Sequence, residues 1–143
     1  MANTLSVLFV CVHDDGRSQM AAGYLNYFSS GFIEGRSAGS APALMLNRVV
    51  VEAMLEEGID LLDRKPKILT EDAVKASDVV ITMGCGDACP FVPGKRYLYW
   101  QIDDPAGRAL DAVRPIRNEI RWRVENLVIA ELQASGRQQS HGR

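Results

Sequence analysis

The residues of this sequence best suited to chemistry are a cysteine and an arginine separated by five residues, Cys11 and Arg17, in the segment CVHDDGRS at residues 11–18. A cysteine attacks as its thiolate, which a neighbouring guanidinium and a helix N-terminus both favour. The planar guanidinium of Arg17 can hold two oxygens of a tetrahedral anion at once, and the hydroxyl of Ser18 can donate to the sulfur. The segment therefore predicts thiolate attack on a bound oxyanion.

The backbone between Cys11 and Arg17 is predicted to hold that oxyanion. A loop that runs into a helix N-terminus turns unpaired N–H groups inward, so it forms a cradle for an anion. The predicted oxyanion-binding residues are Val12, His13, Asp14, Asp15, Gly16 and Arg17. We expect His13 to contribute its backbone N–H rather than act as a base. The alternative is that Cys11 is an inert buried thiol, since free cysteines are often buried.

A strand and a helix must position this loop. Residues 5–10 form a short apolar, β-branched run typical of a central parallel strand, and apolar residues recur at helical spacing from about residue 17 to 28. Further strands are predicted at 32–37, 79–83 and 96–100, and helices at 42–57, from Thr70, and along a stripe from Val113 to Leu127. This alternation predicts a three-layer α/β fold with a mostly parallel four-stranded sheet and helices on both faces. Ligands of such sheets bind beyond the carboxyl ends of the strands.

The 143 residues indicate one catalytic domain, at 1–133, followed by a polar tail at 134–143 that is predicted to be disordered. The net charge of −2 gives no electrostatic reason to expect nucleic acid or an anionic membrane as a partner. No apolar run is long enough to span a bilayer, and no signal peptide is evident. We therefore expect a cytoplasmic monomer whose three cysteines are reduced at rest.

Four segments resemble one known family in the family's order. The loop and its flanks, FVCVH and GRSQMA, resemble the anion-binding loop of low-molecular-weight tyrosine phosphatases, and especially of their relatives, the thioredoxin-coupled arsenate reductases. SAGS at 37–40 resembles the family's segment at the end of the second strand, and DDPAG at 103–107 resembles the reductases' acid loop. The resemblance covers residues 5 to 130. It implies that the substrate is arsenate, with phosphate or sulfate as analogues, and that no cofactor is needed.

An attack on arsenate or phosphate needs a proton donor for the leaving oxygen. Asp103 and Asp104 precede Pro105, and by resemblance the aspartate directly before the proline, Asp104, is the acid. Taken alone, Asp-Asp-Pro is more typical of a turn than of a catalytic acid, and only its occurrence together with the Cys11–Arg17 loop favours the acid.

Cys85 and Cys89 follow the predicted third strand and are open to two interpretations. A structural zinc normally takes four protein ligands. Only Cys11, His13 and His141 remain beside the pair, and His141 lies in the predicted tail, so we expect no metal. The resemblance implies a redox relay instead. Cys85 would attack the arsenic adduct of Cys11, and Cys89 would then attack Cys85 to give a disulfide that thioredoxin reduces. A phosphatase needs only Cys11, so this pair favours the reductase.

The sequence departs from the family at three places. Asp14 stands where the family usually has asparagine, and together with Asp15 it adds negative charge that opposes an anion. Only three residues separate Cys85 from Cys89, fewer than in well-known thioredoxin-coupled members. Some relatives bind an alkali cation near the loop, but Ala22 and Lys67 stand at two of those positions here. We therefore expect an improvement of kcat/KM by Asp14→Asn and no potassium requirement.

Two other functions remain open at this stage. The first is a phosphatase for phosphotyrosine or small phosphate esters, which would not need Cys85 or Cys89. The second is a sensor that binds an oxyanion or arsenite, or responds to redox state, without turnover. The sequence also leaves open whether thioredoxin, glutaredoxin or a small thiol supplies the electrons.

Overall fold

Four short strands pair into one sheet in which every neighbouring pair is parallel. The computed structural model describes residues 5–84 and 90–141, with side chains up to residue 134. The strands are β1 (Leu5–Cys11), β2 (Ile33–Gly39), β3 (Val79–Thr82) and β4 (Arg96–Tyr99), in the order β2-β1-β3-β4. The predicted parallel four-stranded sheet is confirmed.

Helices cover both faces of this sheet. They are α1 (Arg17–Ser29), α2 (Arg48–Leu55), α3 (Glu71–Lys75) and α4 (Leu110–His141). Side chains of β1 alternate between the faces, so Val7 and Phe9 join the larger core with α1, α2 and α4. Leu8 and Val10 face the smaller core, which contains Val74 of α3. The three-layer arrangement is therefore as predicted.

Helix α2 begins later than its apolar pattern predicts, at Arg48 instead of residue 42. The side chain of Asn47 accepts hydrogen bonds from the backbone N–H groups of Val49 and Val50, and so caps the helix. Residues 41–47 instead run along the loop after β1. The predicted Thr70 cap of α3 is present, with its side chain accepting from the N–H of Ala73.

Helix α4 carries the predicted apolar stripe but extends beyond it. Every member of that stripe is buried: Val113, Ile116, Ile120, Val124 and Leu127. The helix continues to His141, across the segment predicted to be a disordered tail. Residues 130–135, AELQAS, are mostly good helix formers, which favours continuation from an established helix. Among the described helices, none is both long and apolar enough to cross a membrane.

The strand order places the loop after β1 at the topological switch point of the sheet. From β1 the chain passes to β2 on one side, and β3 then pairs on the other side. At such a switch point the connections leave in opposite directions and open a crevice beyond the strand ends, which is where α/β folds bind ligands. Cys11 is the last residue of β1 and lies at this position.

Candidate functional site

Cys11 is buried at the carboxyl end of β1, in direct contact with the first turn of α1. Cys11 Sγ lies 2.9 Å from Ser18 Oγ, which is within hydrogen-bonding distance. The sequence predicted that the Ser18 hydroxyl donates to this sulfur. In the structure that hydroxyl donates to Asp14 Oδ1 over 2.6 Å, so Asp14 competes with Cys11 for its proton.

Asp14 is fully buried and adopts a left-handed backbone conformation, with φ of 51°. Aspartate tolerates this region better than most residues. Its Oδ2 accepts hydrogen bonds from Gln19 Nε2 at 3.2 Å and from the backbone N–H of Lys67 at 2.9 Å. Asp14 therefore braces the loop against α1 and the segment before α3. The Asp14 carboxylate is thus buried inside the loop and not directed into solvent, where its charge would oppose a bound anion less strongly.

The cradle is held open by the segment that follows β2. Backbone N–H groups of residues 40, 41, 43 and 47 donate to the carbonyls of residues 11, 12, 13 and 15. Within the part of the chain that the structure describes, no N–H of residues 12–16 pairs with a backbone carbonyl. Those amides are thus left available at a helix N-terminus, where the helix dipole favours an anion.

Gly39, the last residue of β2, makes this packing possible. A Cβ at this position would lie 2.6 Å from Val12 O and 2.8 Å from Asp14 N, both backbone atoms of the cradle. Gly39→Ala should therefore displace the cradle, destabilise the protein by about 1–3 kcal/mol and weaken sulfate binding. The measurement is the melting temperature with and without sulfate.

A matched control is Gly23→Ala in α1. There the three nearest atoms to a Cβ are all side-chain methyl carbons and none is a backbone atom, the nearest being Leu61 Cδ2 at 3.3 Å. Alanine also favours a helix interior over glycine by up to about 1 kcal/mol. An unchanged response to sulfate in Gly39→Ala would contradict the role assigned to this glycine.

Arg17 and the acid loop meet above the cradle. Arg17 Nη1 donates to the carbonyl of Ile102 at 3.3 Å, and Nη2 lies 3.8 Å from Asp104 Oδ2. Asp104 is 55% exposed while Arg17 is 11% exposed, so the carboxylate lies at the mouth of the site and the guanidinium within it. A Cβ on Gly16 would lie 3.0 Å from Pro105 Cγ, which shows how closely the two loops pack. Asp103, its exposed neighbour, makes no contact with the cradle among the hydrogen bonds and ion pairs of the described residues.

The remaining cradle side chains differ in exposure and charge. The ring of His13 is exposed, and its Nδ1 lies 3.0 Å from the carbonyl of Ala41. Burial raises the pKa of the Asp15 carboxyl above its ordinary value; Asp104 and Asp14 act in the same direction, and His13 opposes them. The negative charge beside the cradle is therefore lost at a higher pH than for a solvated aspartate.

Lys67 places an ammonium group beside the loop. Its Nζ donates to Ser37 Oγ at 3.2 Å and to the carbonyl of Lys65 at 3.3 Å, and it lies 3.6 Å from Asp14 Oδ2. Since this ammonium already balances Asp14, we expect turnover to be the same in potassium and in sodium at fixed ionic strength. Stimulation by potassium in the unmodified protein would contradict this.

Two variants test whether the Lys67 ammonium is the reason that turnover does not depend on the alkali cation. Lys67→Ala removes the ammonium, whereas Lys65→Ala removes an exposed side chain and leaves the carbonyl that accepts from Lys67. Any sensitivity to the alkali cation should therefore arise in Lys67→Ala and not in Lys65→Ala.

Cys85 and Cys89, the predicted second and third cysteines, lie outside the described residues. The described chain stops at Gly84, two residues after the end of β3. A Cβ on Gly84 would lie 3.3 Å from Arg17 Nη1. The backbone immediately before Cys85 thus lies close to the guanidinium of Arg17.

Three contributors to this site were given no role in it from the sequence, although Gly39 belongs to the family-like segment at 37–40. Gly39 and the 40–47 segment hold the cradle, and Gln19 bridges Asp14 and the carbonyl of Lys65 from a fully buried position. The buried glutamine on an apolar helix face was a visible signal, since buried polar groups are normally paired. Nothing in the sequence identified its partner.

Comparison with known proteins identifies the family and agrees with the fold. Residues 6–139 match the family described as low molecular weight phosphotyrosine protein phosphatase. The solved structure of a thioredoxin-dependent arsenate reductase of Corynebacterium glutamicum is 42% identical, with a TM-score of 0.81, over 94% of this chain. This chain spans 64% of that longer one.

Two curated relatives are similar over nearly their whole length. The glutaredoxin arsenate reductase of Synechocystis sp. is 33% identical over 85% of this chain and 95% of its own. An arsenate reductase of Staphylococcus aureus is 32% identical over 85% of this chain and 94% of its own.

Proposed function

Since the chain belongs to the low molecular weight phosphotyrosine protein phosphatase family, we propose that it reduces arsenate to arsenite through Cys11. The observation that carries the proposal is the placement of Cys11 at the floor of a cradle of free amides, with Arg17 at its edge. The presence of Cys85 and Cys89 in the sequence, and the arsenate reductases among the relatives, favour reduction over hydrolysis.

In the first step the Cys11 thiolate attacks arsenic. The amides of residues 12–17 and the guanidinium of Arg17 hold the arsenate oxygens and stabilise the charge that develops on them. An S–As bond forms as an As–O bond breaks. Asp104 gives its proton to the departing oxygen, which leaves as water. Its position beside Arg17 at the mouth of the site suits this role.

The next two steps exchange thiols. Cys85 attacks the sulfur of Cys11, forming an S–S bond and breaking the S–As bond, whose electron pair converts As(V) to As(III). Arsenite leaves. Cys89 then attacks Cys85, which restores the Cys11 thiolate and moves the disulfide to the Cys85–Cys89 pair. Gly84, the residue before Cys85, lies close to the guanidinium of Arg17, which supports a relay beside the cradle.

Thioredoxin is the proposed reductant of the Cys85–Cys89 disulfide. The C. glutamicum relative is named for thioredoxin and the Synechocystis relative for glutaredoxin, so both donors occur among proteins similar to this one. We place the protein in the cytoplasm, where thioredoxin is reduced, and expect it to act as a monomer. The short spacing of the two cysteines makes glutaredoxin the first donor to compare.

Phosphate-ester hydrolysis is the second candidate, because the family takes its description from a phosphatase and the cradle is complete without Cys85 or Cys89. The test is to follow arsenate-dependent NADPH consumption with thioredoxin and thioredoxin reductase, with arsenite measured directly. The same protein is assayed for hydrolysis of p-nitrophenyl phosphate. Efficient hydrolysis without arsenite formation would replace reduction by phosphatase activity, and oxyanion binding without either reaction would indicate a sensor.

A further inference from the structure

Three buried polar groups stand in line at the floor of the cradle: Cys11 Sγ, Ser18 Oγ and Asp14 Oδ1. The two separations are 2.9 Å and 2.6 Å, and Ser18 and Asp14 are both fully buried. A serine hydroxyl carries one proton and can donate to only one neighbour. If Ser18 donates to an Asp14 carboxylate, then Cys11 must be the thiol and donate to Ser18.

The other oxygen of Asp14 fixes where a proton can sit on this carboxyl. Oδ2 already accepts from Gln19 Nε2 and from the N–H of Lys67, and the ammonium of Lys67 lies 3.6 Å away. All of these neighbours are donors or positive charges, so a proton on Oδ2 would face them unfavourably. Oδ1 has Ser18 as its hydrogen-bond partner, and a protonated Asp14 would therefore donate from Oδ1 to Ser18.

We propose that Asp14 sets the ionisation of Cys11 through Ser18: an ionised Asp14 holds the Ser18 hydroxyl and keeps Cys11 as the thiol, and Ser18 stabilises the thiolate only when Asp14 takes up a proton along this line. The S–H bond of Cys11 breaks and its proton passes to Ser18 Oγ, while the hydroxyl proton of Ser18 passes to Asp14 Oδ1. The products are a thiolate, a hydroxyl that now donates to it, and a neutral carboxylic acid. Protons are conserved, and Cys11 becomes the nucleophile without releasing a proton to water.

An asparagine at position 14 could not do this. Its carbonyl oxygen would take the place of Oδ2 facing Gln19 and Lys67, which leaves its NH₂ group toward Ser18. That NH₂ can only donate, so the hydroxyl of Ser18 would always be directed at the sulfur. With aspartate the same three groups have two arrangements, and Asp14 acts as a positioning residue that couples the ionisation of Cys11 to its own.

Other charged groups around this line affect both arrangements. Lys67 faces Asp14 from the segment before α3, and Arg17 faces the cradle from α1. Asp15 and His13 lie in the loop itself, and Asp104 approaches from the acid loop. Asp14→Asn also removes a negative charge. The test must therefore separate the effect of the Ser18 hydrogen bond on Cys11 from the direct electrostatic effect of that charge on Cys11.

The test is the rate of Cys11 alkylation by iodoacetamide against pH, followed by mass spectrometry of the peptide that contains Cys11. Four proteins are compared: the unmodified chain, Asp14→Asn, Ser18→Ala and the double variant. We expect Asp14→Asn to accelerate alkylation near pH 6–7 by about tenfold when Ser18 is present, as for a hydrogen bond to a charged group. In the Ser18→Ala background the same change should have a much smaller effect.

An equal effect of Asp14→Asn in both backgrounds would overturn the proposal, because it would show that only charge matters. The shape of the curve is a second measure that does not need Ser18→Ala. Two coupled groups titrate in two steps, so the unmodified chain should give a broader curve than the single step of Asp14→Asn. A single step in both proteins would also overturn it. Asparagine tolerates the left-handed backbone at this position, so Asp14→Asn should fold.

The inference depends on Cys11 being the nucleophile of the proposed function. Alkylation uses no arsenate and no reductant, however, so its outcome is independent of whether arsenite is formed. A chain that fails to reduce arsenate can still show the coupled titration, and an active reductase can lack it.

Discussion

Replacing Cys11 with serine is expected to abolish arsenate-dependent NADPH consumption, whereas Cys85→Ser and Cys89→Ser should each stop the cycle at a different point. Without Cys11 no S–As bond can form. With Cys85→Ser the arsenic adduct has no thiol to resolve it, so no arsenite is released. With Cys89→Ser one arsenite is released per protein molecule, and the chain is trapped with a Cys11–Cys85 disulfide.

The measurement combines steady-state NADPH consumption with the amount of arsenite released in a single turnover. Hydrolysis of p-nitrophenyl phosphate is the internal control, since it needs only the cradle and Cys11. Any such activity should be lost in Cys11→Ser and retained in the other two variants. Full arsenate reduction by Cys85→Ser or Cys89→Ser would show that the three-cysteine relay is wrong.

Arg17→Lys is expected to lower kcat/KM for arsenate by about 100- to 1,000-fold, as for the loss of one donor to a developing oxyanion. Lysine keeps the positive charge but replaces a rigid planar donor by a single ammonium. It therefore cannot bind two arsenate oxygens side by side while also donating to the carbonyl of Ile102. The decrease should be similar for arsenate and for p-nitrophenyl phosphate, because both reactions use the same cradle.

Arg36→Lys is the matched control. Arg36 is an exposed residue of β2 that pairs with Glu34, on the part of the strand that precedes the cradle. Its replacement should leave kcat/KM and the melting temperature unchanged, since exposed ion pairs contribute about 0–1 kcal/mol. If Arg17→Lys retained more than about a tenth of the activity, bidentate binding by Arg17 would not be needed for the reaction.

The helices and strands were predictable where a single local pattern decides them. Apolar, β-branched residues in β1 and β3 and the apolar stripe of α4 lie where expected, because burial on one or two faces leaves a period in the sequence. The start of α2 was misplaced, because Asn47 caps the helix and the preceding residues are held by hydrogen bonds to the cradle. Those hydrogen bonds join residues that are distant in sequence, so they produce no periodic pattern of apolar residues from which they could be predicted.

The sequence by itself indicated the loop chemistry and the order of the layers. Cys11 and Arg17 could be singled out because nucleophile and guanidinium are properties of residue type and their spacing relative to β1 and α1 is local, whereas Asp104 was assigned as the acid only by its resemblance to the family. The tertiary structure alone decided which groups neighbour the Ser18 hydroxyl, the burial of Asp14 and the close packing of Gly39 against the cradle. Each of these depends on which atoms of separate segments come close together in space. The sequence does not specify those neighbours, because several of these segments are far apart along the chain.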